Sequence, residues 1–452
     1  MLAALLLSLA APDPTLEADV CRALAAAPPG TRIGLVVADA DGVEQVAIAP
    51  DDRFVPASNT KILTTAAAMA ALPLDTPGDA ATGVRIEGDD VILVGAGDAR
   101  LSSADDCAVD CLATLADAVA AKHRRIRNVI GDDSRFPDQR WSPGMGWNNI
   151  PTRSGTGISA LTLDDNEVVL TIRADGGGAI VTGGDYYRID NRILPGPRTA
   201  IGFDRMPGSD LLRLTGTIAP GRTETIRVGI DDPAHHAAWR MAAMLRARGV
   251  AVTGRIDVRH RPLADADGAL VQPVVATPML ATAAPAPLIE DIRLTNKVSQ
   301  NLHAELLLRR IGGSIRGGID RIAAMMAAAG VPRTAWDLSD GSGMSTYNRV
   351  SPRAMVALLR WVQGQPWGTR WLETLPVAGV DGTLARRFRG TALDGRLLAK
   401  TGSLSGTTAL AGVLTAASGR RLTFAAYAND IPEGTSATAA IDAALLAVAA
   451  AR

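Results

Sequence analysis

The chain carries 46 basic residues, yet only four are lysine: Lys61, Lys122, Lys297 and Lys400. Arginine supplies every other cation, so a position that keeps lysine is a candidate for chemistry that arginine cannot do. Burial and nearby cations can drive a lysine amine toward neutrality, whereas a guanidinium stays charged. Lys61 closes Ser58-Asn59-Thr60-Lys61, at the start of a stretch, Ser58 to Leu72, that predicts one helix stopped at Pro73. Residues three apart on a helix share a face, so a hydroxyl and an amine able to take its proton stand side by side. That is the minimum set for a serine nucleophile with a lysine general base. Lys400 opens Lys400-Thr401-Gly402, and a second cation converging from there would favour a neutral Lys61. Between them in chain order stands Ser299-Gln300-Asn301. The plain alternatives are a helix cap with a surface lysine, polar residues on an exposed helix face, and a simple turn into a strand.

The ordered set Ser-x-x-Lys, Ser-x-Asn and Lys-Thr-Gly is a recognised pattern, and with it the chain resembles the D-alanyl-D-alanine carboxypeptidase/endopeptidase family, the class C low-molecular-mass penicillin-binding proteins. The segments Gly131–Phe136, Ser159–Leu163, Asp340–Asn348 and Leu375–Leu384 are similar to further family segments. Ser299 lies 241 positions after Ser58, far more than in a β-lactamase, and the family places an insertion there.

The resemblance implies an α+β fold, with an antiparallel sheet flanked by helices and inserted mostly-β domains. It implies catalytic residues Ser58 as nucleophile, Lys61 as base and Ser299 as proton carrier to the leaving amine. Substrate binding falls to five residues: Asn301 holds the substrate backbone and also positions Lys61; Lys400 and Thr401 bind the terminal carboxylate; Gly402 allows close approach of a strand; and Ser403 gives an oxyanion-hole N–H beside that of Ser58. The expected partners are peptidoglycan stem peptides ending in D-Ala-D-Ala, with β-lactams as inhibitors trapped on Ser58. D,D-endopeptidase action is a second activity the family admits. No metal or organic cofactor is needed. Two departures stand out. Gln300 replaces a common Asp, at a position read as a spacer. In Gly146-Trp147-Asn148-Asn149-Ile150 the chain has amides where the family often has acidic residues near a Trp, with no nearby Tyr. A β-lactamase or esterase on the same fold, and a non-catalytic penicillin-binding scaffold, are the competing readings. No Gly-x-Ser-x-Gly elbow is present, which argues against an α/β-hydrolase.

The elements that must position these residues follow from periodicity. A first helix is predicted over 15–27, then strands at Arg32–Asp39 and Val43–Ile48. Residues 81–275 are rich in Gly and Asp with short β-like runs at Val91–Val94, Val168–Ile172 and Thr225–Ile230, and one helix around Pro233–Arg248. Helices are predicted at Leu288–Ile311, Gly317–Ala329 and Ser351–Gln363, then a strand pair, Thr408–Thr415 and Arg421–Ala428, and a last helix, Thr435–Arg452, packed on those strands. Because the three motifs must meet in space, the peptidase domain is expected to combine 12–80 with 276–452, and 81–275 to form one or two inserted domains.

Bulk properties exclude other classes. Net charge is −1, so nothing favours nucleic acid. No apolar run approaches the about 18 residues of a spanning helix, and no firm membrane anchor is expected. Residues 1–11 resemble a signal segment before Pro12, which suggests an exported, periplasmic or cell-wall-associated protein. Cys107 and Cys111 can bond only if their segment is not regular helix; Cys21 is left over. His235-His236 lack further ligands at metal-binding spacing, His303 reads as packing, and Lys297 as a solvated lysine. Asp340-Gly341-Ser342-Gly343 fits a structural loop and a site rim equally.

Overall fold

The computed structural model describes residues 14–76, 80–264, 267 and 278–451. The signal segment expected at residues 1–11 and the boundary expected at 276 lie outside them.

A five-stranded antiparallel sheet organises the site. Its order is Leu397–Leu404, Thr407–Thr415, Arg421–Asn429, Arg32–Ala38 and Glu44–Ile48. Side chains alternate across a strand, and both faces are apolar here. Ala409, Ala411, Val413, Ala425 and Tyr427 join one core, shared with the helices Thr60–Ala71, Ile315–Ala328 and Pro352–Gln363. Leu410, Leu414, Phe424, Ala426 and Ala428 join the other, shared with the helices Pro14–Leu24 and Thr438–Ala450. The sheet is thus the middle layer of three. The last helix packs on the terminal strands as expected, and no helix among the described residues is long and apolar enough to cross a membrane.

The inserted stretch has two parts. Strands Ile256–Arg261, Val129–Pro137, Asp90–Val94, Gly83–Glu87 and Ala281–Thr282 form a second sheet. The helices Leu112–Lys122 and Pro233–Ala247 pack against it over a common core. Small sheets built from 167–229 enclose a further core around Leu170, Leu212 and Val228. The helix Leu112–Lys122 went unrecognised in the sequence. It begins only after Cys111, so the preceding turn leaves Cys107 and Cys111 free to bond, and they are disulfide-linked. Cys21 is free and exposed.

Two differences from the sequence reading bear on the site. The stretch Leu288–Ile311 is not one helix but two, Leu288–Lys297 and Asn301–Gly312. The break is made by Ser299, whose φ of 63° is left-handed, and Gln300 caps the second helix by accepting from the Leu302 N–H at 3.3 Å. Gln300 is therefore a helix cap, more than the spacer expected. Lys400-Thr401-Gly402, just before the expected strand pair, is itself part of a third strand, Leu397–Leu404, at the free edge of the sheet.

His303 is buried between two carboxylates and is not simple packing. Its Nε2 is 2.9 Å from Asp165 Oδ1 and its Nδ1 3.3 Å from Asp291 Oδ1, tying the insert to both helices of the broken pair. Burial alone would lower its pKa, but the two carboxylates outweigh that and push it up to about 9 from 6.5. A raised folded pKa gives stability that is complete below the unfolded value and is lost as pH rises through the folded one. The stability gap between wild type and His303→Gln, measured by urea unfolding, should therefore shrink by roughly 2–3 kcal/mol between about pH 6.5 and 9.

Candidate active site

The nucleophile candidate sits on a tight turn. Ala57–Asn59 forms a 3-10 turn that feeds the helix Thr60–Ala71, so Ser58 stands at a helix N-terminus, where the backbone field favours negative charge. Ala57, just before it, has a φ of 46°, a conformation costly for a residue with a side chain and concentrated at functional sites. Two neighbours hold this turn in place. Asn59 donates through Nδ2 to Lys400 O at 2.7 Å. Gly343, with φ +90°, comes so close that a Cβ there would lie 1.9 Å from Ala57 O.

Lys61 is fully buried. Its Nζ donates to Ser58 Oγ at 2.9 Å, Asn301 Oδ1 at 2.7 Å and Ser342 O at 2.6 Å. Burial lowers its pKa to about 7, against the opposing pull of Asp340 and Glu305. A base poised there is half neutral near physiological pH.

Lys400 is also fully buried and donates to Ser299 Oγ at 2.9 Å and to Thr401 O at 3.0 Å. Burial, and then the charge of Lys61, hold its pKa well below the ordinary lysine value, so each cation disfavours the other. Thr401 Oγ1 donates to Thr383 Oγ1 at 2.8 Å. The structure thus brings Ser58, Lys61 and Asn301 into one group and Ser299, Lys400 and Thr401 into another, coupled through the two amines. Among the described residues Ser299 makes its hydrogen bond to Lys400 and none to Lys61.

The edge strand defines how a substrate can lie. Ala399 N–H donates to Pro376 O on the side away from the neighbouring strand. Main-chain groups alternate along an antiparallel strand, so those of Thr401 and Ser403 face the same free edge. The Ser403 N–H can then join the Ser58 N–H in binding an oxyanion. At Gly402 a Cβ would meet Pro56 O at 2.6 Å and Asn59 N at 3.2 Å. Its missing side chain admits the turn that carries Ser58.

Several residues were not legible as site residues. Ser342 contributes a carbonyl, which leaves no mark on residue type. Its loop is held by Glu305, which accepts the Gly341 and Ser342 N–H groups at 3.0 and 2.9 Å. Asp340 accepts from Gly343 N, Ser345 N and Asn348 Nδ2. Burial and then Glu305 push the Asp340 pKa up to about 6. The available signal was Glu305 one helical turn beyond Asn301. The loop Asp340–Gly343 is therefore part of the site rim. Lys297 belongs elsewhere, with Nζ 2.5 Å from Asp381 Oδ2. Trp147–Asn149 forms a short 3-10 turn that presents amides and no carboxylate. Its following segment reaches the site through Ser154 O, which accepts from Asn301 Nδ2 at 2.9 Å. Among the described residues no group of His, Cys, Asp or Glu could hold a metal.

The profile of the D-Ala-D-Ala carboxypeptidase 3 (S13) family matches residues 16–451. The chain belongs to that family. It is 33% identical over 417 residues to a D-alanyl-D-alanine carboxypeptidase of Actinomadura sp. (strain R39), across 85% of this chain and 75% of that protein. It is 30% identical over 464 residues to carboxypeptidase DacB of Mycolicibacterium smegmatis, across 97% of this chain and 85% of that one. Its fold is similar to that of penicillin binding protein 4 (dacB) from Haemophilus influenzae, with a TM-score of 0.78 at 20% identity over 94% of this chain and 97% of that one.

For an S13 enzyme with this geometry, kcat/KM for D-alanine release should rise with pH through about 7 as Lys61 loses its proton. Lys61→Arg keeps the charge but cannot supply a free amine, so kcat/KM should fall by about 100-fold or more. Glu305→Gln removes a charge that raises the Lys61 pKa, and its pH–rate limb should move to lower pH. An unchanged limb in that variant would separate the limb from Lys61.

Proposed function

We propose that this serine-type D-Ala-D-Ala carboxypeptidase cleaves peptidoglycan stem peptides through an acyl-enzyme on Ser58. The observation that carries the reading is the buried Lys61 amine, 2.9 Å from Ser58 Oγ and lowered toward neutrality. The neutral amine takes the Ser58 proton as Oγ attacks the carbonyl of the penultimate D-alanine. The oxyanion is stabilised by the N–H groups of Ser58 and Ser403, each worth about 3 kcal/mol in comparable enzymes. Lys400 and Thr401 hold the terminal carboxylate. That anion would raise the Lys400 pKa, opposite to the empty site, and the resulting ammonium would keep Lys61 neutral. The Ser299 hydroxyl, held by Lys400 in the empty site, passes the proton that Lys61 took from Ser58 on to the leaving amine, which returns Lys61 to the neutral form. Asn301 positions Lys61 through Oδ1 and presents to the substrate backbone the amide N–H that Ser154 O does not take. D-Alanine departs, and water hydrolyses the ester with Lys61 again as base.

A β-lactam presents the same carboxylate and a strained amide, so it acylates Ser58 and is released slowly. Endopeptidase action follows the same steps with the side-chain amine of a cross-linked peptide as leaving group. The substrate lies outside the cytoplasmic membrane, which fits an exported protein acting in the periplasm or at the cell wall. The chemistry needs no cofactor.

Diacetyl-lysyl-D-alanyl-D-alanine should yield free D-alanine with wild type and none with Ser58→Ala. After penicillin exposure, intact mass should show one adduct on wild type and none on Ser58→Ala. An adduct that survives the substitution would move the nucleophile elsewhere, and rapid turnover of a chromogenic cephalosporin would favour a β-lactamase.

A further inference from the structure

The insert carries a second cleft whose chemistry the peptidase mechanism does not use. It has a volume of about 500 Å³ and opens where the helix Pro233–Ala247 meets the strand Glu167–Asp175, elements that hold no residue of the Ser58 site. One wall is aromatic. Tyr186 packs edge-on against Trp239 at 5.5 Å and against His236 at 4.8 Å, and Trp239 stacks over His236 at 5.9 Å. Tyr186 and Trp239 are half-buried, and the Tyr186 hydroxyl is held 3.0 Å from His235 Nδ1. The aromatic wall is therefore rigid before any ligand arrives.

The polar groups opposite it are ordered but have capacity left. Arg240 uses Nε on Ser103 Oγ at 3.1 Å, and that hydroxyl donates to Asp164 Oδ2 at 2.6 Å. The remaining guanidinium N–H groups make no hydrogen bond among the described residues. Asp105 and Asp185 line the cleft, and among the described residues neither carboxylate has a side-chain partner. His236, 6% exposed, lines it too and has an unpartnered Nδ1.

We propose that this cleft binds a saccharide, specifically the amino-sugar polymer from which cell-wall peptides hang. A sugar ring offers an apolar C–H face to Trp239 and Tyr186 and a rim of hydroxyl and amide groups to planar carboxylate and guanidinium partners. A cationic peptide fits less well, because the Arg240 guanidinium stands among the acids. An anionic ligand fits less well, because Asp105 and Asp185 do. An uncharged ligand with both donors and acceptors satisfies all of them. The choice of an amino sugar over other saccharides rests on the reading of the enzyme as a cell-wall peptidase. The cleft would hold the glycan while Ser58 works on a peptide attached to it.

The test is calorimetric titration of the intact enzyme with a four-sugar oligomer of β-1,4-linked N-acetylglucosamine, with a lysine-containing peptide lacking D-alanine as the cationic competitor. Saturable binding by wild type is expected, weakened about tenfold or more in Trp239→Ala. Weakening is also expected in Asp185→Asn, at an exposed position where folding is not at risk. All variants should acylate with penicillin at the wild-type rate. Absence of saturable sugar binding at millimolar concentration, binding unaffected by both substitutions, or tighter binding of the cationic peptide would each overturn the proposal. The penicillin adduct reports separately on the peptidase reading, so the two can fail independently.

Discussion

An amine sealed from water at Lys61 is the constraint around which the molecule is arranged. A charged lysine in a dry interior carries a desolvation cost that the protein meets by lowering its pKa. The three oxygens that surround it must then be held in place by something other than solvent, and they come from separate regions: Ser58 from the turn before it, Asn301 from a helix start, Ser342 from a loop. Behind that shell stand Glu305 and Asp340, whose carboxylates receive main-chain N–H groups of the loop. The negative charge that fixes the loop also pulls the Lys61 pKa upward. Burial must therefore overcome the scaffold's own field, and the balance settles near neutrality.

The second amine extends the same logic. Lys400 projects from the free-edge strand toward the nucleophile helix, on the face opposite Ala399. Burial and mutual repulsion keep the two amines from both carrying charge until an anion arrives. The empty site is therefore electrostatically incomplete, and in the proposed mechanism the terminal carboxylate of the substrate would complete it. The left-handed backbone at Ala57 and Ser299 belongs to the same picture, since the first sets the direction of the neighbouring Ser58 hydroxyl and the second that of its own, off the line that a regular helix would impose. Strain of this kind persists only where the surroundings over-determine it, and Gly343 and Gln300 are those surroundings here.

Legibility in the sequence followed the chemistry. Ser58, Lys61 and Lys400 could be picked out because proton transfer demands particular side chains, and a lysine-poor chain makes those choices conspicuous. The five central strands and both terminal helices were legible from alternation and apolar runs, apart from Leu397–Leu404, whose Lys and Gly disguise a strand. The break at Val298-Ser299-Gln300 was not, because it uses neither Gly nor Pro. The Ser342 carbonyl was invisible since every residue has one. The contact of Gly402 with Pro56 was equally hidden, because a glycine's reason lies in what approaches it, and that is a tertiary fact. The helix Leu112–Lys122 was masked by its alanine content and by the Asp- and Cys-rich turn before it.

The central sheet joins the two extremes of the chain. Arg32–Ala38 pairs along its whole length with Arg421–Asn429, and the helix Pro14–Leu24 packs on Thr438–Ala450. Nearly four hundred residues separate these partners, so closing that loop is entropically expensive and intrinsically slow. The insert's two larger cores draw on residues between 84 and 283, which lets most of it order while the catalytic layer is still open. The consequence is a built-in order of events: a nascent chain carries a folded middle long before it carries a reactive serine, and the hydrolase is silent until its last strands have been made.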